Sequence, residues 1–234
     1  STGHRAMDRR VEAPAPGAQA PIQDGARVLA DWPDLLKRVQ TLSGVSDTQF
    51  MATYQPLLLA WAAYLQHLPD PAGAGVTLLE TRLRQAEVVL ARRRGVILPV
   101  GGDPEQAARQ ADVWTYAVFS VALLRQIGVA LAPLAVVLWS SSGQALGRWG
   151  PETQPRGLAH VRRAAAYSVY PVPAGACRDW TWLVAGALLP DTARNWLWRE
   201  PAVFDLWKQA LVAPALPAPL RGMFDGFLLT PPQG

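Results

Sequence analysis

The sequence predicts a mainly α-helical domain with a short β-hairpin, and three observations carry that reading. Side chains suited to N-caps stand before apolar residues that recur every three or four positions. Ala135-Val136-Val137-Leu138-Trp139, then Ser140 to Gly143, then Ala145 to Trp149, follow a strand, turn and strand pattern. No dinucleotide or phosphate-loop glycine signature and no internal repeat point to an α/β or repeat architecture.

The elements follow in order. Residues 1 to about 25 hold Pro14, Pro16, Gly17 and Pro21 among alanines and charges, and read as a flexible leader. The globular domain is expected over residues 26–213. Ser46-x-x-Gln49 is a capping box that opens a helix through Phe50, Tyr54, Leu57, Leu58, Trp61 and Leu65, which Leu68-Pro69-Asp70-Pro71 ends. Thr77-x-x-Glu80 opens a second helix, with Leu79, Leu83, Ala86 and Leu90 on one face and Arg84, Arg92 and Arg93 away from it. Asp103-Pro104 starts a third, expected to run to Ile127 and to stop at Gly128. From Val113 onward it is apolar on nearly every face, which places it in the middle of the core. Further helices are expected at about 156–166, 179–189, 191–198 and 201–212. The tail, residues 214–234, is proline-rich, yet Leu216, Leu220, Met223, Phe224, Phe227 and Leu228 make it partly packed on the body.

With 234 residues, half of them apolar, the chain can bury a sizeable core. A single cysteine, Cys177, precludes an intramolecular disulfide or a Cys-rich zinc module and fits the cytoplasm. The start of the sequence has no apolar run of the kind a signal peptide needs. The segment from Tyr116 to Trp139 is apolar and long enough to cross a bilayer, but Arg125 and Gln126 at its centre and the breakers Gly128 and Pro133 argue for a buried helix followed by a buried strand, with no membrane. The net charge is +4, and Lys37 and Lys208 are the only lysines among the cations. Arginine suits phosphate contact through its planar fork.

Candidates for chemistry are few. His4, His67 and His160 have no metal-ligand spacing, and no His-Glu-x-x-His or Cys-x-x-Cys occurs. There is no Gly-x-Ser-x-Gly elbow, and Ser140-Ser141-Ser142 falls in the hairpin turn. The carboxylates of Glu80, Glu87, Asp103, Glu105, Asp112, Asp179, Asp191 and Asp205 are dispersed, and helix capping accounts for Asp103 and Asp191. No metal and no cofactor is expected.

The order of short motifs adds a family resemblance. Tyr54-x-Pro56-Leu57, Tyr64-x-Gln66-x-Leu68-Pro69, Arg93-Arg94-Gly95-Val96-Ile97-Leu98-Pro99, Pro104-Glu105, Trp114-Thr115-Tyr116-Ala117-Val118-Phe119 with Ala122-Leu123-Leu124, and Trp149-x-Pro151 resemble, in that order, the N-terminal domain of MobH-type conjugative relaxases of integrating and conjugative elements. The resemblance covers about residues 45–212 and implies an HD-type helical fold. In that family a His-Asp pair on the central helix, with further histidines, holds a divalent metal that activates water against a phosphodiester. Here Asp70-Pro71-Ala72-Gly73-Ala74-Gly75 holds no histidine, and Arg84 and Gln85 stand where another would fall. The His-Asp pair is Arg125-Gln126, the following lysine is Val129, and a later histidine is missing near Cys177-Arg178-Asp179-Trp180. A permanent cation and an amide remove the negative field that a divalent metal needs.

The resulting expectation is a degenerate, non-catalytic relaxase-like domain that binds DNA or conjugation and regulatory proteins. Arg125 and Gln126 mark the vacated position, filled by an internal ion pair or open as an anion pocket. Arg82, Arg84, Arg92, Arg93 and Arg94, joined by Arg162 and Arg163, form the DNA-contact candidate, against an ordinary solvated basic face. Trp180, Trp182, Trp196 and Trp198, with Trp207, are candidate interface aromatics, against core packing. The alternatives are a metal-dependent relaxase or phosphodiesterase with relocated ligands and one part of a longer relaxase.

Overall fold

Three of the four expected caps are made; Asp191 makes none, since it is the first residue of its helix, Asp191–Trp198, and pairs with Arg194 instead. In the computed structural model, which describes residues 7–73, 75–175 and 179–227, Ser46 Oγ accepts from Gln49 N at 3.1 Å, Thr77 Oγ1 from Glu80 N at 3.2 Å and Asp103 Oδ1 from Gln106 N at 2.8 Å. Each satisfies a donor that a helix start leaves open. The order is β1 (Ala20–Pro21), α1 (Gly25–Leu29), α2 (Pro33–Ser43), α3 (Asp47–Leu65), α4 (Leu78–Arg93), α5 (Pro104–Leu124), α6 (Ile127–Ala130), β2 (Leu134–Trp139), β3 (Ala145–Arg148), β4 (Ala166–Pro171), α7 (Thr181–Leu188), α8 (Asp191–Trp198), α9 (Pro201–Val212) and α10 (Ala218–Arg221). The protein is mainly α with a small antiparallel sheet.

Helix α5 lies at the centre of the core. Val121, Ala122, Leu123 and Leu124 have no exposed surface, and α5 packs on both α4 and α9. The stretch Pro104–Ala130 is long and apolar enough to cross a membrane, but 78% of its most apolar window is buried in the protein, as in a core helix. Tyr54, Tyr116 and Phe119 meet beside it, with Tyr54 edge-on to Tyr116 at 4.9 Å between centroids. Inside this apolar layer Trp207 Nε1 donates to Ser120 Oγ at 2.9 Å, so α9 is fixed to α5 by a buried hydrogen bond as well as by packing.

The strands form one sheet in the order β1-β4-β2-β3, every pairing antiparallel. The predicted hairpin is present as β2 and β3, but it is only half of that sheet. The helix expected at about 156–166 is not formed: a 3-10 turn at Leu158–His160 leads instead into β4. Gly157 adopts φ 94, which ends any helix there, and Tyr167 and Val169 are buried only when paired with Leu138 and Val136 of β2.

Helix α5 also ends earlier than Ile127. Arg125 is extended at its end and Gln126 takes the left-handed conformation at φ 51. Helix α2 escaped the reading although Pro33 at its first turn and Gly44 at φ 71 past its end bracket it. The part of the expected leader that is described lies on the body: Asp8 Oδ1 accepts from Asp34 N and Leu35 N, and Gln23 N donates to Gln66 Oε1 at 2.9 Å. In the tail, Leu216, Leu220, Met223 and Phe224 are buried, while Leu228 falls outside the described residues.

Candidate functional site

Arg125 and Gln126 sit where α5 breaks, and their donors face the C-terminal end of α9. Arg125 Nη1 donates to Ala210 O at 2.6 Å and Nη2 to Pro214 O at 3.2 Å. Gln126 N donates to Leu211 O at 2.9 Å, and its Nε2 to Ala213 O at 3.2 Å. A helix end leaves its last carbonyls without partners, and a cation there meets the negative end of the helix dipole. The pair therefore caps α9 from a distant segment. Among the described residues no carboxylate forms an ion pair with Arg125, contrary to the internal ion pair expected. Carbonyl oxygens hold its guanidinium; the residue is 9% exposed, and burial pulls its pKa below the usual arginine range.

Arg82 belongs to the same knot. Its Nη1 donates to the Arg125 carbonyl at 2.6 Å. Burial draws the Arg82 pKa down to about 10, while Asp70 favours the charged form and Arg125 opposes it. What resembles a metal-site locus is thus packed with two guanidinium groups and main-chain oxygens.

The remaining arginines of α4 are also engaged. Arg84 pairs with Glu80 one turn away at 3.0 Å. Arg92 Nη1 donates to Met223 O at 3.1 Å and Asp225 O at 2.7 Å, and its guanidinium lies 5.8 Å from the Phe227 ring centroid. Arg93 is buried, bonded to Val96 O and to Ala111 O, and Arg94 Nη2 donates to Thr41 O at 3.2 Å. These side chains do not form one free basic face. Arg162 and Arg163 lie elsewhere, exposed on the connection between β3 and β4, and Arg163 takes φ 73.

The sequence reading takes only Arg162 and Arg163 as candidates from that connection. It begins with Trp149 N donating to Val136 O at 2.8 Å and closes with Ala165 N donating to Trp139 O at 2.8 Å, so both ends hang from β2. At Gly157 it crosses α3 so closely that a Cβ there would lie 2.4 Å from Tyr64 Cα. Arg156, His160, Arg162 and Arg163 are exposed on it, Arg148 precedes it, and Glu152 is its one acid. Among the described residues none of these four arginines makes a side-chain hydrogen bond or ion pair. The signal was available as a local excess of cations, diluted over 16 positions.

Beside the connection opens a cavity of about 580 Å³ with Tyr64, Trp149 and Trp180 among its walls and Arg148 and Glu152 at its polar side. Tyr64 and Trp149 pack edge-on at 5.5 Å, and among the described residues neither the buried Tyr64 hydroxyl nor the buried Trp149 Nε1 has a hydrogen-bond partner. Gly128 borders the same cavity, where a Cβ would come within 2.7 Å of Trp180 N.

The other candidate tryptophans divide between surface and core. Trp198 is 68% exposed and edge-on to Phe204, and Trp182 is 39% exposed and edge-on to Trp207. Trp196 is half-buried against Tyr116 at 5.6 Å, and Trp207 is in the core. Among the described residues no three histidine, cysteine or acidic side chains cluster as metal ligands would. Cys177 and Arg178 lie outside the described residues.

No curated protein matches the chain. A family model described as "putative helicase" matches residues 19–213, from β1 through the α9 end that Arg125 and Gln126 cap. That match spans most of the chain, and the protein belongs to this TraI_2 family, a domain of conjugative-relaxase type.

Proposed function

We propose that the chain is a non-catalytic relaxase-type module of conjugative transfer, a degenerate form of the HD-type domain of MobH relaxases that works by binding DNA or a conjugation protein in the cytoplasm. The observation that carries this reading is the engagement of Arg125 and Gln126. At the position that resembles the family's His-Asp pair, a guanidinium and an amide donate to Ala210, Pro214 and Ala213 carbonyls. A metal centre needs lone pairs directed at the ion, and these two side chains direct N–H groups at main-chain oxygen. Arg82 adds a second cation next to them. The donor set does not fit a divalent metal, so no hydrolytic step is assigned to this locus. Preserving the packing between α5 and α9 while losing the ligands is what a domain retained for its surfaces requires.

Metal analysis of the purified protein, with assays on supercoiled DNA and a generic phosphodiester in Mn, Mg and Zn, tests the proposal. The expected result is no stoichiometric metal and no turnover. Metal bound one to one, or turnover abolished by chelation, would overturn it in favour of a phosphodiesterase with relocated ligands.

A further inference from the structure

We infer that the β3–β4 connection and the adjoining aromatic cavity form a binding site for single-stranded nucleic acid, with phosphates on Arg156, Arg162 and Arg163 and one base in the cavity. The inference rests on the proposed binding role and locates it.

Charge complementarity identifies the occupant. Every arginine of α4 already donates to a carbonyl or a carboxylate within the fold. On the connection and at the strand end before it, four exposed arginines and His160 are set against one acid, Glu152, and the arginines have no partner among the described residues. Free guanidinium forks held on an anchored backbone suit a chain of phosphates. The anchoring is evident at both ends and at Gly157, where the connection touches α3. Arg163 occupies φ 73, a conformation that glycine ordinarily takes, so the fold tolerates strain to keep a cation at that turn.

The cavity specifies a strand with unpaired bases. Its 580 Å³ falls within the range of about 300–1,000 Å³ for small-ligand sites, and Trp149 and the half-buried Trp180 are among its lining residues. A base can leave a single strand and stack on such rings, whereas in a duplex it is held in the stack. Arg148 lines the cavity and directly precedes the connection that carries Arg156, Arg162 and Arg163.

The test is fluorescence polarisation of the full chain with labelled oligo-dT, a duplex of equal length and an abasic strand of equal length, at two salt concentrations. The expected order is oligo-dT tightest, with the duplex and the abasic strand each about tenfold weaker. The triple variant Arg156→Gln, Arg162→Gln, Arg163→Gln loses about tenfold in affinity, and its log–log salt slope falls by about 2. Arg84→Gln, on α4, stays within twofold. Wild-type affinity in the triple variant, a duplex or abasic strand bound as tightly as oligo-dT, or displacement by polyglutamate at equal charge concentration would each overturn the inference. Metal-dependent turnover would instead overturn the proposed function and leave this site standing.

Discussion

Two sets of arginines in this protein do opposite things. Arg82, Arg93 and Arg125 are buried and bonded to main-chain carbonyls, whereas Arg156, Arg162 and Arg163 are exposed on one connection with no side-chain partner among the described residues. A local sequence reading groups Arg82, Arg84, Arg92, Arg93 and Arg94 because they are close in the chain. What decides whether a cation is available is where its donors already point, and that depends on segments far away, such as α9 for Arg125 and the tail for Arg92.

The sharpest way to break this contrast is to remove the cap on α9. Arg125→Met leaves the Ala210 and Pro214 carbonyls without their donor and should cost about 3 kcal/mol in equilibrium urea unfolding. Arg125→His with Gln126→Asp, the pair that the proposed HD-type resemblance would place there, should cost at least as much, because a carboxylate would face carbonyl oxygens at the negative end of α9. A loss below about 1 kcal/mol in both variants would mean that the cap is dispensable. Arg93→Met removes donors to Val96 O and Ala111 O and should cost about 1–2 kcal/mol by the same measurement.

The exposed set should behave differently. Arg84→Gln loses a surface pair with Glu80 and should cost at most about 0.5 kcal/mol, diminishing with added salt. The Arg156, Arg162 and Arg163 triple glutamine variant should leave the urea midpoint within about 0.5 kcal/mol of wild type, so that any loss of nucleic-acid binding is not a loss of fold. A large shift in that midpoint would place these residues in the structural set instead.

The smallest effect separates the arginines from the one partly buried histidine. Arginines keep their charge across the neutral range, but burial holds the His67 pKa below its usual 6.5. The unfolded chain then binds a proton more readily than the fold does, so stability is full above about pH 6.5 and falls as pH drops from there towards the folded value. His67→Gln should flatten the urea midpoint over that window. A wild-type midpoint that rises on acidification would contradict the assigned direction.

Much of the helical scaffold was legible because its signals are local. Capping boxes at Ser46 and Thr77 and the Asp103-Pro104 start gave three helix starts, and α8 and α9 match their expected spans. Strand β4 follows the segment expected as helix over 156–166 and has no local signal of its own, because Tyr167 and Val169 become strand residues through pairing with β2, a long-range event. The break at Gln126 was equally invisible, since its amide is directed to Leu211 O, 85 positions on. The sequence singles out Arg125, but its carbonyl partners, and the exposed arginines of the β3–β4 connection, emerge only with the tertiary structure.

The grip of Arg92 on the tail bears on how the domain can be cut. The family match stops at residue 213, yet Leu216, Leu220, Met223 and Phe224 beyond it are buried, and Arg92 holds the Met223 and Asp225 carbonyls. A fragment trimmed to the family boundary would present a raw apolar seam along α4 and an arginine with nothing to hold, a surface suited to self-association. The smallest sensible unit for expression therefore runs at least to Phe227, and fusions or tags belong after it.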